Sequence, residues 1–139
     1  MVNISWQLEF YEDKRGISDV ADFIAGKEKR IDKKHVKKAR RDIMLLAENG
    51  LETDGIEIKE LKKQDKLYEL ISNDYRILFF VFDRKIIVLL SYFMKKSNET
   101  PPFEIERAKN RRDDYLKRRW YNENMGIIER RYKKSKWIR

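Results

Sequence analysis

Residues 67–93 read LYELISNDYRILFFVFDRKIIVLLSYF. Three apolar segments alternate there with the short polar pieces Asn73-Asp74 and Asp83-Arg84-Lys85, and such pieces between apolar runs are typical of tight turns. A further alternating segment precedes them and ends at the turn Gln64-Asp65-Lys66. The pattern predicts an antiparallel meander of four strands at Ile56–Leu61, Leu67–Ser72, Tyr75–Asp83 and Ile86–Phe93.

Before the meander, the sequence predicts one strand and two helices. Residues Asn3–Glu12 alternate between apolar and polar side chains, which is typical of a strand. Ser18 or Asp19 then caps a short helix that Gly26 ends. A second helix is expected over about Ile31–Glu48, where apolar residues recur at helical spacing.

After the meander, Thr100 is expected to cap a third helix that runs to about Asn122, with Pro101 at its first helical position. Four of its residues are expected to pack on the sheet: Phe103, Ala108, Tyr115 and Trp120. We assign residues 1–122 to one domain and 123–139 to a basic, aromatic C-terminal extension. That extension is either a further helix or a tail that a partner orders.

The predicted fold class is α+β: two N-terminal helices packed on a small, mainly antiparallel twisted sheet, followed by a C-terminal helix. The composition narrows the chemistry of such a domain. Among the 139 residues there is no Cys and only one His, His35. Disulfides, thiolate zinc sites, a Cys nucleophile and a multi-histidine metal cluster are therefore excluded, and no cofactor or metal is expected. The apolar runs are too short to span a membrane and no signal-peptide core is found, so a cytoplasmic protein is expected.

The net charge of +9 is concentrated in two segments. Lys27–Asp42 has nine basic and three acidic residues, and Glu104–Arg139 has 13 basic and six acidic residues. Such an excess attracts nucleic acid, an anionic membrane surface or an acidic protein. Each segment has an alternative to binding a partner. In these alternatives the basic residues of the helix simply form a solvated face, and the tail aromatics Tyr132 and Trp137 pack on the sheet. Candidate RNA-binding residues are Lys33, Lys34, Lys37, Lys38, Arg41 and Lys63.

Arg76 is the unusual charge of the meander because the strand around it is otherwise apolar. A buried guanidinium requires an anion or the mouth of a cleft. Arg76 therefore either pairs with an acid such as Glu69 or binds a ligand together with Lys95 and Lys96, which follow the last strand. His35 is remote in sequence from these cations and is interpreted as a surface or packing residue.

Four short sequence motifs in this part of the chain resemble, in their residues and their order, those of one family. They are Leu67–Leu70, Tyr75–Phe80, Tyr92–Pro101 and Glu104–Ala108. The family is the RelE superfamily of toxin–antitoxin toxins, and specifically its HigB-like branch, which is related to phage Gp49. The most specific of the motifs contains Phe-Met-Lys-Lys followed by Thr-Pro. The resemblance is close from Leu61 to Tyr115.

This resemblance implies a RelE-like fold and an mRNA interferase, a small endoribonuclease that cuts messenger RNA on the ribosome and thereby inhibits translation and arrests growth. It also implies a cognate antitoxin, a helix-turn-helix protein of the HigA kind. The toxin would bind operator DNA only through this antitoxin. In the implied reaction, which needs no metal, a ribose 2′-oxygen attacks the adjacent phosphate. A base, an acid and stabilising cations are required.

The resemblance also implies roles for individual residues. Arg76 would clamp the phosphate, and Lys95 and Lys96 would stabilise the transition state, with either lysine a candidate acid. The remaining candidates are a base, Lys59 or Lys62, and an acid or base-stacking platform, Tyr92. Crowded lysines suit the base role because neighbouring positive charges lower the pKa of a lysine.

Two departures from the family pattern favour an alternative function. Ile71 stands where the family has an Arg, and Tyr92 stands where a His is common. The alternative is a catalytically weak or inactive RelE-fold protein of phage origin that binds RNA or an acidic partner. A basic tail that binds a membrane surface is a third hypothesis, and we expect no membrane partner.

Overall fold

The structure is a computed structural model that describes residues 6–137, with side chains described through Met125. Eight elements follow one another along the chain. They are β1 (Gln7–Phe10), α1 (Asp19–Ile24), α2 (Lys33–Asn49), β2 (Glu57–Glu60), β3 (Leu67–Ser72), β4 (Tyr75–Phe82), β5 (Ile86–Met94) and α3 (Pro102–Trp137). Within the described residues, no helix combines the length and the apolar character needed to cross a bilayer.

The five strands form one sheet in the order β1-β5-β4-β3-β2. Strands β2 to β5 pair antiparallel as consecutive hairpins, whereas β1 pairs with β5 in parallel, with Gln7 opposite Ile86. The predictions of an α+β fold class and of a C-terminal helix are confirmed. The predicted fold class is wrong in two details: it placed the two helices first, whereas β1, within the strand predicted over Asn3–Glu12, precedes them, and the sheet is mixed. The parallel pair arises because the chain passes through α1, α2 and three strands before β5 returns beside β1.

Both faces of the sheet are covered, and β4 lies at its centre. Helices α1 and α2 cover one face, where Ile77 and Phe79 are buried. Helix α3 covers the other face, where its Ala108 packs with Leu78 and Phe80. Since side chains alternate along a strand, Arg76 faces the α3 side.

The ends of α1 and α2 agree with the sequence signals. The Ser18 side chain accepts a hydrogen bond from the Ala21 N–H, and the Asp32 side chain accepts one from the Lys34 N–H. Helix α2 ends at Gly50, whose φ of +77° favours glycine. A Cβ atom there would lie 2.6 Å from the Trp6 ring, so the position also requires the absence of a side chain.

Helix α3 differs from its prediction at both ends. Thr100 does not cap it, because the Thr100 hydroxyl donates to Oε2 of Glu69 at 2.5 Å and the helix begins at Pro102. The helix continues past Asn122 to Trp137, since an interior glycine lowers helix stability by only about 1 kcal/mol. The predicted boundary between domain and extension therefore falls inside one helix.

Fewer residues of α3 pack on the sheet than expected. Ala108 is buried and Tyr115 packs on Phe80, whereas Phe103 and Trp120 are 65% and 62% exposed. The expectations for Asn3–Ser5 and for the side chains of Tyr132 and Trp137 lie outside the described residues.

Candidate functional site

Arg76, Lys95 and Lys96 line one cavity at the end of the β3–β4 hairpin. The cavity measures about 350 Å³, and its lining is completed by Asp74, Ser97 and Asn98. The register explains this, because Arg76 lies opposite Phe93 and the chain that leaves β5 therefore runs beside the β3–β4 turn. There the Lys95 N–H donates to the Asp74 carbonyl at 2.7 Å. The structure thus brings together the three cations that were predicted to bind and stabilise a phosphate, while their roles stay predictions.

Arg76 is held by the protein as well as being open to the cavity. Its Nε lies 3.1 Å from Oε1 of Glu69, which is fully buried, and the Arg76 side chain is 13% exposed. Its Nη1 donates to the carbonyl oxygens of Asn73 and Tyr75 at 2.8 and 3.0 Å. The sequence allowed two alternatives for Arg76, an ion pair with Glu69 or a position at the mouth of a cleft. In the structure Arg76 has both. Glu69 and the turn fix the direction of the guanidinium.

The other lysines predicted for the site lie elsewhere. Lys59 is exposed on the edge strand β2, opposite Glu69 in the register, and does not line the cavity. Lys62 and Lys63 lie in the turn before Leu67, which is the end of β3 away from the Arg76 cavity. The structure does not bring Lys62 or Lys63 to the three cations.

Tyr92 lies on the opposite face of the sheet from Arg76. Its ring stacks on Phe23 of α1 with a centroid distance of 4.4 Å. Burial, and then the negative charges of Glu28 and Asp19, raise the pKa of the Tyr92 hydroxyl to about 12. A hydroxyl that holds its proton this tightly, with the sheet between it and the cavity, is a packing group in this structure.

His35 reaches the turn that carries the cavity. Its Nδ1 lies 3.1 Å from Nδ2 of Asn73, and its ring packs 5.5 Å from the Tyr75 ring. The backbone carbonyl of the same residue, Asn73, accepts a hydrogen bond from Arg76. A contact between residues 38 positions apart leaves no local signal in the sequence, so the sequence does not link His35 to the site.

The cations of α2 divide into two sets. Lys38 and Arg41 both approach the buried carboxylate of Asp42, at 2.6 and 3.4 Å. Lys38 also borders a cavity of about 650 Å³ that Asn73, Ile71 and Glu57 line. Among the described residues, Lys33, Lys34 and Lys37 have no carboxylate within salt-bridge distance.

A comparison with protein families gives one match for the chain. The model described as "Phage derived protein Gp49-like (DUF891)" matches residues 29–113, more than half of the chain. A search of curated proteins finds no match to the chain. The matched range begins just before α2, contains β2 to β5 and extends into α3, so every residue that lines the Arg76 cavity lies within it.

Proposed function

The chain belongs to the Gp49-like family of phage-derived proteins, and on that premise we propose that it is a toxin–antitoxin toxin that cuts messenger RNA on the ribosome. The family is associated with RelE-like toxins. The observation that carries the proposal is the cavity where Arg76, Lys95 and Lys96 converge on one side of the β3–β4 turn. We further propose that a HigA-like antitoxin silences the toxin.

The cavity has the charge that phosphodiester cleavage requires. When a ribose 2′-oxygen attacks phosphorus, negative charge grows on the phosphate oxygens, and prearranged cations stabilise it. Glu69 and the turn carbonyls engage Nε and Nη1 of Arg76, which orients the guanidinium and leaves Nη2 to donate to the phosphate. Lys95 and Lys96 would supply further positive charge, and one of them a proton for the leaving 5′-oxygen.

For the base we propose His35 in place of Lys59, Lys62 and Tyr92, because its ring contacts Asn73 of the turn beside the cavity, although His35 itself does not line the cavity. Imidazole is the commonest general base in enzymes and contributes about 10²–10⁴-fold. This role requires the Asn73 amide to turn so that its Oδ1 accepts from the Nδ1–H of His35, which leaves Nε2 to accept the 2′-proton. His35→Ala is expected to lower cleavage at least about 100-fold without weakening RNA binding. Imidazole added to that variant should restore part of the activity, which a purely structural role of His35 would not allow.

Cleavage can be tested with the purified protein, translating ribosomes and a defined messenger RNA, followed by primer extension. The wild type should produce new 5′ ends that carry a free hydroxyl. Arg76→Ala and Lys95→Ala should each reduce the rate about 100-fold. Lys85→Ala is the matched control, because Lys85 is exposed in the turn at the opposite end of β4 and β5.

Two results would contradict this proposal in different ways. If folded Arg76→Ala and Lys95→Ala cleave at the wild-type rate, the site lies elsewhere. If the wild type binds RNA but leaves no new 5′ ends, the chain is the non-enzymatic binding protein. The partial neutralisation of Arg76 by Glu69 is the observation that favours this second function.

A further inference from the structure

A second concave surface lies on the side of α2 away from the β3–β4 turn. It is a groove of about 590 Å³ between the end of α1 and the first turns of α2. Its apolar lining comes from Ala25, Ile31 and Val36, and Val36 is only 5% exposed. This volume exceeds that of the cation cavity and accommodates several side chains.

The groove is built into the connection between the two helices. Helix α1 ends at Ile24, and Gly26 follows with a φ of +76° and open space where a Cβ atom would be. Arg40 of α2 donates from Nε to the Ile24 carbonyl at 2.5 Å. Because this bond ties α2 to the end of α1, the walls of the groove are fixed in the absence of any partner.

The rim of the groove is strongly positive. Lys29, Lys33, Lys37 and Arg40 line it, against the single carboxylate of Glu28. In the described part of the chain, none of these four cations has a carboxylate within salt-bridge distance, in contrast to Lys38 on the other side of α2. The groove is therefore complementary to an anionic partner.

The apolar lining distinguishes a peptide from RNA. Single-stranded RNA is held by aromatic platforms and phosphate contacts, and among the side chains that the structure describes no aromatic one lines this groove. Aliphatic residues such as Ile31 and Val36 instead suit an apolar anchor side chain, as in recognition of an amphipathic helix by a groove. From these observations we propose that the groove binds an acidic amphipathic peptide, which inserts an apolar side chain while its carboxylates pair with Lys33 and Lys37.

This proposal changes the role expected of two residues. Lys33 and Lys37 were predicted to bind RNA with the rest of the basic helix, but the structure turns them toward the groove. Lys38 and His35 instead lie toward Asn73 of the β3–β4 turn. The inference does not depend on nuclease activity, since the groove and the cavity share no lining residue.

The test uses the full chain and a synthetic helical peptide rich in glutamate, with leucines along one face, in a fluorescence anisotropy titration. A second peptide with serine in place of each leucine measures attraction by charge alone. The variant Lys33→Ala/Lys37→Ala should bind the leucine peptide at least about tenfold more weakly. The control Lys14→Ala/Lys85→Ala removes the same charge from exposed positions elsewhere and should bind within about twofold of the wild type.

Ile31→Ser removes the apolar contact and keeps every charge. It should weaken binding of the leucine peptide while the serine peptide binds equally weakly to both proteins. Equal loss in the two double variants, or equal affinity for the two peptides, would show that only net charge attracts them and would overturn the proposal. A single-stranded RNA oligonucleotide that displaces the leucine peptide and loses affinity in Ile31→Ser would assign the groove to RNA instead. Thermal melting checks that each variant is folded.

Discussion

Helices α2 and α3 are both rich in basic residues, yet they use them differently. In α3, Arg111 pairs with Asp19 of α1 at 2.8 Å, and Arg119 pairs with Glu9 of β1 at 3.2 Å. In α2, Lys33, Lys34 and Lys37 pair with no carboxylate among the described residues. These two arginines hold α3 on the molecule, whereas Lys33, Lys34 and Lys37 of α2 remain available to a partner.

The contacts of α3 show why its charge is structural. Arg119 donates to the Tyr115 hydroxyl at 2.8 Å and lies 4.7 Å from the centroid of the Phe82 ring. The Tyr115 hydroxyl also donates to Glu9, and burial raises the pKa of Tyr115 to about 12. Among the described side chains, Arg111 and Arg119 of α3 are therefore held in contacts of the fold, whereas Lys33, Lys34 and Lys37 of α2 are not.

Glu69→Ala is expected to have the largest effect on stability, because it breaks an ion pair more deeply buried than any pair that α2 or α3 makes among the described residues. Glu69 is fully buried, and its loss leaves Arg76, only 13% exposed, without its carboxylate. Breaking a buried pair in this way destabilises a protein by about 3–5 kcal/mol. Urea denaturation followed by circular dichroism measures the free energy of unfolding.

Glu57→Ala is the control for this change. Glu57 is exposed on the edge strand β2, opposite Ile71, and its removal should alter the free energy of unfolding by less than about 0.5 kcal/mol. If the Glu69 variant is destabilised no more than the Glu57 variant, burial does not determine the strength of the pairs in this protein.

The hairpins could be predicted from sequence because their signals are local. The alternating residues and the two polar turns around Tyr75–Phe82 define strands and register together, and the observed β3 has the predicted bounds. That register also accounts for the meeting of Arg76 with Lys95 and Lys96. The part of the candidate site that depends on neighbouring strands was therefore accessible from the sequence.

What escaped prediction depends on contacts between distant parts of the chain. The parallel pairing of β1 with β5 joins residues 79 positions apart, such as Gln7 and Ile86, and has no local signature. The contact of His35 with Asn73 and the pairing of α3 arginines with β1 and α1 have the same origin. Charge counted along the sequence could not separate paired from unpaired cations, because pairing is a property of the fold.

An intermediate effect is expected for the two helices compared directly, with Arg119→Ala in α3 and Lys37→Ala in α2. The first change removes an ion pair, a hydrogen bond to Tyr115 and the contact with Phe82. Because the pair is partly exposed, we expect a loss of about 1–2 kcal/mol in the free energy of unfolding. Lys37→Ala should change it by less than about 0.5 kcal/mol. Equal effects of the two changes would remove the distinction between structural and available cations.

The smallest effect, Lys33→Glu, is expected to increase stability. Lys33 begins α2, and no acidic residue lies in the first turn of that helix, so positive charge stands at the positive end of the helix dipole. Glutamate at this position would interact favourably with the dipole and would lie one turn before Lys37, for a gain of about 0.3–1 kcal/mol. Lys33→Ala should give a smaller gain, since it removes the repulsion without adding an attraction.

The same Lys33→Glu substitution should weaken binding of the leucine-bearing acidic peptide at the groove, because it reverses a rim charge. A gain in thermal stability together with a loss of binding would show that α2 carries its unpaired cations for a partner at the expense of the fold. A loss of stability would mean that Lys33 supports the helix and that its positive charge is structural, as in α3.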